Sequence, residues 1–140
     1  MDYGFLTDMV GLELRKAQIK AEKKFEQLYG KSLLPGHFTV LVLIQNNPGS
    51  TQSAIARSAG LDRSSLVPLL KKFEKNGFII RKQAASDPRS NELSITPQGE
   101  VFIENNRSTM EKLEQEIMDN FGLENYQALV KYLQRLQKLL

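Results

Sequence analysis

Apolar residues recur with a helical period along most of the chain, and turn residues divide the pattern into segments. Good helix formers dominate about residues 5–29, and Gly30 follows them as a natural helix stop. Residues 33–36 (LLPG) break the pattern, with Pro35 placed for the first turn of a new helix. The next stretch, HFTVLVLIQNN, is almost continuously apolar, so we expect this second helix to be buried on most sides.

Two short helices with a tight turn between them come next. The first is predicted over about residues 52–59, with Ser50 or Thr51 as its N-cap and Gly60 just beyond its end. Asp62 can cap the second, which runs to about residue 76. Two helices joined by about three residues that include a glycine have the spacing of a helix-turn-helix.

The pattern then becomes strand-like. Residues 78–85 (FIIRKQAA) begin with β-branched and apolar side chains, a polar run follows, and residues 92–95 (ELSI) alternate, which fits two strands and a loop. Thr96 with Pro97 can begin a long helix that continues to about residue 121. Leucines at helical spacing predict a last helix over residues 124–140. The fold class is therefore mainly α with a small β-hairpin.

Composition restricts the chemistry of the chain. The 140 residues suffice for one ordinary domain, and 41% apolar with 25% charged residues is typical of a chain that can bury a core. The chain has no cysteine, which excludes disulfides, thiolate catalysis and cysteine-ligated metal sites. His37 is the only histidine, so a metal site or a histidine-assisted nucleophile would have to use it. We expect no metal and no cofactor.

An enzyme is the first competing class. Two carboxylate pairs, Glu100 with Glu104 and Glu111 with Glu114, share helix faces, but such pairs on a charged helix are usually solvated. The sequence has no phosphate-binding loop and no dinucleotide-binding glycine motif. We therefore expect no catalytic activity.

Targeting signals are not evident in the sequence. The N-terminus has no basic stretch followed by an apolar segment, and no run approaches the roughly 20 apolar residues of a membrane span. We expect no membrane partner and a cytoplasmic location.

The net charge of +3 is small, but its distribution is uneven. Residues 1–50 carry a net charge of +1, residues 51–99 carry +4, and residues 100–140 carry −2. The positive excess thus lies on the helix-turn-helix and the hairpin, where a DNA-facing surface would need it. Ordinary surface composition explains an excess of this size about as well.

Three short motifs resemble the winged helix-turn-helix of the MarR family of bacterial transcriptional regulators. They read FEKNG at residues 73–77, DPR at residues 87–89 and ITPQG at residues 95–99. In the family, the first closes the recognition helix, the second lies in the wing and the third closes the domain. The resemblance implies a winged helix-turn-helix over residues 35–99, with N- and C-terminal dimerisation helices over residues 1–34 and 100–140.

The recognition helix supplies the first candidate DNA contacts. In a helix-turn-helix the second helix enters the major groove by its first turn, while the first helix crosses the phosphates. Arg63, Ser64 and Ser65 occupy that first turn, where they can contact base edges or phosphates. Gln52 and Ser53, at the start of the preceding helix, are assigned to the same surface.

Further along the recognition helix, Lys71 and Lys72 are suited to neutralising phosphates. Pro68, also assigned to the DNA-binding surface, is an interior proline and predicts a slight kink. The remaining apolar positions have the spacing of the buried faces that join the two helices, and they are Ala54, Ile55, Ala59, Leu61, Leu66, Leu69, Leu70 and Phe73.

Arg89, at the predicted loop tip, is the best single candidate for DNA contact. A narrow minor groove concentrates negative potential and attracts an inserted arginine. Asp87 can hold that side chain in position, and Arg81 and Lys82 can meet the flanking phosphates. The alternative is a solvated polar hairpin with an idle ion pair.

We also expect a homodimer and a small-molecule effector. Regulators with one recognition helix usually bind two half-sites as a two-fold dimer, and the apolar residues near both termini can form its interface. Intramolecular packing of the two ends is the alternative. Family members are commonly switched by small aromatic or anionic ligands held between the dimer helices and the winged domain.

The effector site is assigned by position and chemistry alone. A mixture of basic and apolar side chains suits an aryl carboxylate or an acyl-CoA thioester. For His37, a role at the helix start or the dimer interface is favoured over ligand contact. The candidate lining residues are Arg15, His37, Phe38, Leu41 and Arg107.

The sequence therefore predicts a ligand-responsive repressor that binds a palindromic operator as a homodimer and is released by its effector. The alternative is a winged helix used for protein contact or for nonspecific architectural DNA binding. That alternative predicts little discrimination between DNA sequences.

Overall fold

The computed structural model describes residues 1–29, 35–83 and 91–140. A 3-10 turn over Gly4–Leu6 precedes six described helices: α1 (Val10–Tyr29), α2 (Pro35–Asn46), α3 (Gln52–Ala59), α4 (Arg63–Lys75), α5 (Pro97–Phe121) and α6 (Leu123–Gln137). The described strands are β1 (Ser50–Thr51), β2 (Ile79–Gln83) and β3 (Asn91–Ile95). The predicted fold class, mainly α with a small β-hairpin wing, is confirmed.

The first helix begins later than predicted, at Val10 instead of near residue 5. Gly4 adopts a φ of +54°, and its N–H donates to a carboxylate oxygen of Asp2 over 2.8 Å. The hydroxyl of Thr7 donates to the carbonyl of Gly4 over 2.9 Å. These local bonds give the backbone an alternative to the helix, so the chain turns before α1 starts.

The sheet has three antiparallel strands in the order β1-β3-β2. β2 and β3 form the hairpin, from Ile79 opposite Ile95 to Gln83 opposite Asn91. β1 was not predicted. It has only two residues, and it exists because Ser50 pairs with Leu93, more than 40 positions further along the chain.

The hydrophobic core lies between α2, α4 and the sheet. α2 contributes Val40, Leu41 and Ile44, which are fully buried, in agreement with its continuous apolar sequence. Of the apolar positions predicted for the helix-turn-helix core, the buried ones are Ile55, Leu66, Leu69, Leu70 and Phe73. Ala59 and Leu61 are half-buried.

The prediction of a buried Ala54 was wrong, since its side chain is exposed. Ile55 is the buried residue of α3, and the half-buried Ala56 and Ala59 continue its face. Ala54 is displaced by about 100° from Ile55 around the helix, on the side away from Ala56, and this side faces solvent.

The start of α5 is tied to the end of α4. The hydroxyl of Thr96 donates to the carbonyl of Gly77 over 2.5 Å and accepts the N–H of Gly99 over 3.0 Å, as predicted for an N-cap. The amide of Gln98 donates to the carbonyl of Asn76 over 3.0 Å. These bonds connect the FEKNG and ITPQG motifs.

The chain divides into two compact units, Met1–Ile103 and Glu104–Leu140. The predicted grouping of residues 1–34 with 100–140 concerns dimerisation and stays a prediction. Among the described helices, none is long and apolar enough to cross a membrane.

Candidate nucleic-acid interface

Helix α3 is capped at both of its ends. Thr51 caps α3 by accepting the N–H of Ala54 over 3.3 Å. At the other end, Gly60 adopts a φ of +65°, and the N–H of Leu61 donates to the carbonyl of Ala56 over 2.9 Å. This is a Schellman motif, which needs a left-handed residue where glycine stands. α3 therefore ends at a defined residue, immediately before the turn to α4.

Asp62 caps the recognition helix, α4. Its Oδ1 accepts the hydroxyl of Ser64 over 2.6 Å and the N–H of Ser65 over 2.7 Å. Hydrogen bonds from Ser64 and Ser65 favour the carboxylate and hold the pKa of Asp62 below its usual range. The Ser64 hydroxyl is thus engaged by the cap, whereas the neighbouring Arg63 is an exposed cation on the same turn.

A cleft of about 290 Å³ lies between the starts of α3 and α4. It brings together three residues predicted from the sequence, Gln52, Ser53 and Arg63. Four further residues complete its lining: Ala56, Leu66, Val67 and Asn91. Asn91 was not predicted from the sequence, because it reaches the cleft only through the pairing of β3 with β2.

The outer face of α4 carries the remaining candidates. Ser65, Pro68, Lys71 and Lys72 are all exposed and recur every three or four residues, opposite the buried leucines. Pro68 lacks an N–H, so the carbonyl of Ser64 has no helical donor, yet α4 continues through this position. The kink at Pro68 stays a prediction. α4 therefore presents a polar, basic stripe to solvent.

The structure places Arg81 differently from the other candidate cations. Its guanidinium forms an ion pair with Glu74 of α4 and is only 18% exposed. Glu74 lies seven positions before Arg81, but it was not among the site residues predicted from the sequence. Lys82, the next residue of β2, is exposed. Asp87 and Arg89 lie outside the described residues.

The five candidate effector residues have different surroundings. Arg15 is exposed on α1, whereas Phe38 and Leu41 are buried in the core. Arg107 is exposed and donates a hydrogen bond to Glu111 over 2.7 Å, and that bond, followed by the charges of Glu111 and Glu104, raises the pKa of Arg107. Whether an effector binds these residues stays a prediction.

His37 is a half-buried side chain at the start of α2. Its ring stands edge-on to Phe73 of α4, with centroids 6.5 Å apart, and its buried Nδ1 has no hydrogen-bond partner in the described parts of the chain. Burial, and then the charge of Lys72, lower the pKa of His37. In those same parts, no three histidine or carboxylate side chains come together as a metal site.

Comparison with known proteins finds similarity to transcriptional regulators. The profile of the MarR family matches residues 33–90. A protein of Thauera aromatica, whose name assigns it to transcriptional regulation of the hcr operon, is 35% identical over 99 residues, or 69% of this chain. The matched stretch covers 60% of the length of that relative.

Solved structures agree with this match over nearly the whole chain. The transcriptional repressor CouR bound to a 23-mer DNA duplex is 28% identical, with a TM-score of 0.88 and 98% of each chain covered. CouR bound to p-coumaroyl-CoA is 25% identical, with a TM-score of 0.86, and the match covers 98% of this chain and 97% of that one. The protein described here, with its capped helix-turn-helix and paired hairpin, belongs to the MarR family.

Proposed function

We propose that the chain is a ligand-responsive transcriptional repressor. It binds a palindromic operator as a homodimer and is released by a small aromatic or anionic effector, such as an aryl acid or an acyl-CoA thioester. The observation that carries this proposal is that α4 exposes Arg63 in its first turn, beside the cleft with Gln52 and Ser53, and a polar, basic stripe along its outer face. A helix with this exposed face suits the major groove.

Charge supports DNA as the partner. The net charge of +4 over residues 51–99 includes the exposed Arg63, Lys71 and Lys72 of α4 and Lys82 of β2. Cations on one surface neutralise phosphates and release counterions, which supplies affinity without sequence preference. Sequence preference then comes from the first turn of α4, and from Arg89 if the wing enters the minor groove. The similarity to a repressor bound to DNA agrees with this assignment.

Exposed apolar side chains support the homodimer. Around the start of α1, Phe5, Met9 and Val10 are exposed, and Phe5 is 83% exposed. In α6 no residue is buried, and its exposed large apolar residues are Leu123, Leu129, Val130 and Tyr132. Surfaces of this kind on a small protein usually mark contacts with another molecule. A second copy of the chain covers them in the proposed assembly.

The proposed effector is defined only as a class of small aromatic or anionic molecules. A similar protein has been solved with p-coumaroyl-CoA, an aromatic thioester with anionic phosphates. Arg15 and Arg107 offer exposed cations for an anionic group, and Phe38 and Leu41 offer apolar contacts. Because Phe38 and Leu41 are buried, a ligand reaches them only after neighbouring side chains move.

Selection of DNA from a random-sequence library tests the DNA-binding part. The selected sequence is expected to be an inverted repeat, with half-site centres separated by whole helical turns. Arg63→Ala is expected to weaken binding to it by roughly 5- to 150-fold, the range for one bidentate base contact. Arg135→Ala, which removes another exposed arginine, from α6, is the matched control and should change little. No enrichment of any sequence would support the architectural or protein-binding alternative instead.

A thermal-shift screen tests the effector part. Aromatic acids and their CoA thioesters are added to the protein, and compounds that raise its melting temperature are then added to the complex with the selected DNA. Release of the DNA by such a compound is the expected result. Stabilisation of the protein without release would contradict a ligand-responsive repressor.

A further inference from the structure

The ion pair between Glu74 and Arg81 joins two elements of the proposed DNA-binding surface. Glu74 lies in the last turn of the recognition helix α4, and Arg81 lies in the middle of β2, the first strand of the wing. The guanidinium of Arg81 and the carboxylate of Glu74 meet across the turn made by Asn76 and Gly77. The side chain of Arg81 is 18% exposed and that of Glu74 is 36% exposed, so the pair is partly covered.

The alternation of buried and exposed side chains along β2 shows which face of the strand carries Arg81. Ile79 is buried in the core, Ile80 is exposed, and Arg81 is half-buried. Since alternate side chains of a strand share a face, Arg81 continues the core-facing row that Ile79 begins. Lys82 and Gln83 are exposed, so Arg81 is the last residue of β2 whose side chain is partly buried.

We infer, on the basis of the proposed DNA binding, that Arg81 is a positioning residue, which fixes the wing to the recognition helix through Glu74. This replaces the role in phosphate contact that the sequence suggested. β2 and β3 form the described part of the wing, so the anchor determines where this pair of strands lies relative to α4. A site whose two contact elements are held in place in advance loses less entropy on binding.

The positioning role and direct phosphate contact predict opposite effects for loss of Glu74. If Arg81 bound a phosphate, removal of the neighbouring negative charge would free the guanidinium and tighten binding to any DNA. If Arg81 positions the wing, removal of Glu74 releases the wing, and binding to the selected sequence weakens. The two residues should then behave as one unit, because each acts only through the other.

The experiment compares binding to the DNA selected by the wild-type chain with binding to a random duplex of equal length. The variants are Glu74→Gln, Arg81→Gln, the double variant, and the exchange Glu74→Arg with Arg81→Glu. Lys82→Gln, alone and with Glu74→Gln, is the control, because Lys82 is an exposed cation one residue further along the strand. Each affinity is measured over a series of salt concentrations, and each melting temperature is recorded.

Each single variant is expected to weaken binding to the selected duplex by about tenfold, within the range for coupled neighbours, and to leave binding to random DNA unchanged. The double variant should be no weaker than either single one, and the exchange should restore binding to within about threefold. The salt dependence should keep its slope. The melting temperature should change little, because partly exposed ion pairs contribute little to stability. Lys82→Gln should show no coupling to Glu74→Gln.

Tighter binding by Glu74→Gln would overturn this role. So would a loss for Arg81→Gln that is equal on both duplexes and lowers the salt slope by about one per protomer, as one lost phosphate contact predicts. Failure of the exchange to restore binding would count equally against it. A wild-type chain without any sequence preference would remove the proposed function itself, which is a distinct result.

Discussion

Replacement of Gly99 by alanine tests how closely α5 approaches the end of α4. A Cβ atom at Gly99 would lie 2.2 Å from the carbonyl oxygen of Phe78 and 2.7 Å from Cδ1 of Ile95. Cβ contacts under 3.0 Å are essentially never found, so the first atom is at least 0.8 Å too close. A backbone oxygen cannot rotate away as a side chain can, so the backbone at the start of α5 or at Phe78 must shift.

The movement also disturbs the bonds that fasten α5. The N–H of Gly99 donates to the Thr96 hydroxyl, and that hydroxyl donates to the carbonyl of Gly77. Overpacking of a well-packed site typically costs about 1–3 kcal/mol, and with the loss of a cap bond we expect about 2–3 kcal/mol for Gly99→Ala. For a chain of this size, that corresponds to a fall of roughly 6–10 °C in melting temperature.

The assay is urea unfolding followed by far-UV circular dichroism, together with thermal melting, at one fixed protein concentration because association changes apparent stability. Gly11→Ala is the matched control. Gly11 also lies in the first turn of a helix, but a Cβ there meets nothing within 4 Å. It should leave stability unchanged or raise it by about 0.5 kcal/mol, because alanine favours the helix. A Gly99→Ala protein within about 0.5 kcal/mol of the wild type would refute the close approach.

Three further predictions follow from the capping, titration and surface of the chain. Asp62→Ala should lower the melting temperature by a few degrees at pH 7; because the pKa of Asp62 is depressed, the difference should shrink as the pH falls below 3.8. The lowered pKa of His37 means that the unfolded chain binds its proton more readily, so stability is full above about pH 6.5 and declines as the pH falls below it. His37→Gln should remove that decline in urea midpoints between pH 7.5 and 5.5. Wild-type protein at micromolar concentration should sediment at twice 15.9 kDa, and Val130→Glu should sediment as a monomer.

Each of these has its own contrary result. Asp62→Asn retains a good cap, so a loss as large as that of the alanine variant would contradict the capping role. An equal acid-induced loss with and without His37 would assign the decline to other groups. If the wild-type protein is a monomer at micromolar concentration, a second copy does not cover the exposed apolar residues, and the proposed homodimer is contradicted.

Local sequence signals predicted much of the helix-turn-helix. The predicted span of 52–59 agrees with α3, and Thr51, Asp62 and Thr96 are the observed N-caps, because a cap depends on residues within three positions. The hairpin was likewise found from the change in hydrophobic period. These features need no knowledge of distant contacts.

Features that depend on distant residues were not predicted. β1 exists only through pairing with β3, and the ion pair of Arg81 was not predicted because its partner Glu74 lies on another element. The exposure of Ala54 depends on which face of α3 meets α2, and an eight-residue helix contains too few turns to define that face. The motifs around residues 77 and 99 were recognised, but only the structure shows that hydrogen bonds of Thr96 and Gln98 connect them.

The ratio of affinities for the selected duplex and for random DNA of the same length tests the central claim most directly. The measurement is made at one physiological salt concentration, because affinity for DNA depends strongly on salt. The account predicts that the chain prefers the selected duplex by about 10³ or more, with two copies bound to each inverted repeat. Equal affinity for the two duplexes would contradict a sequence-specific regulator.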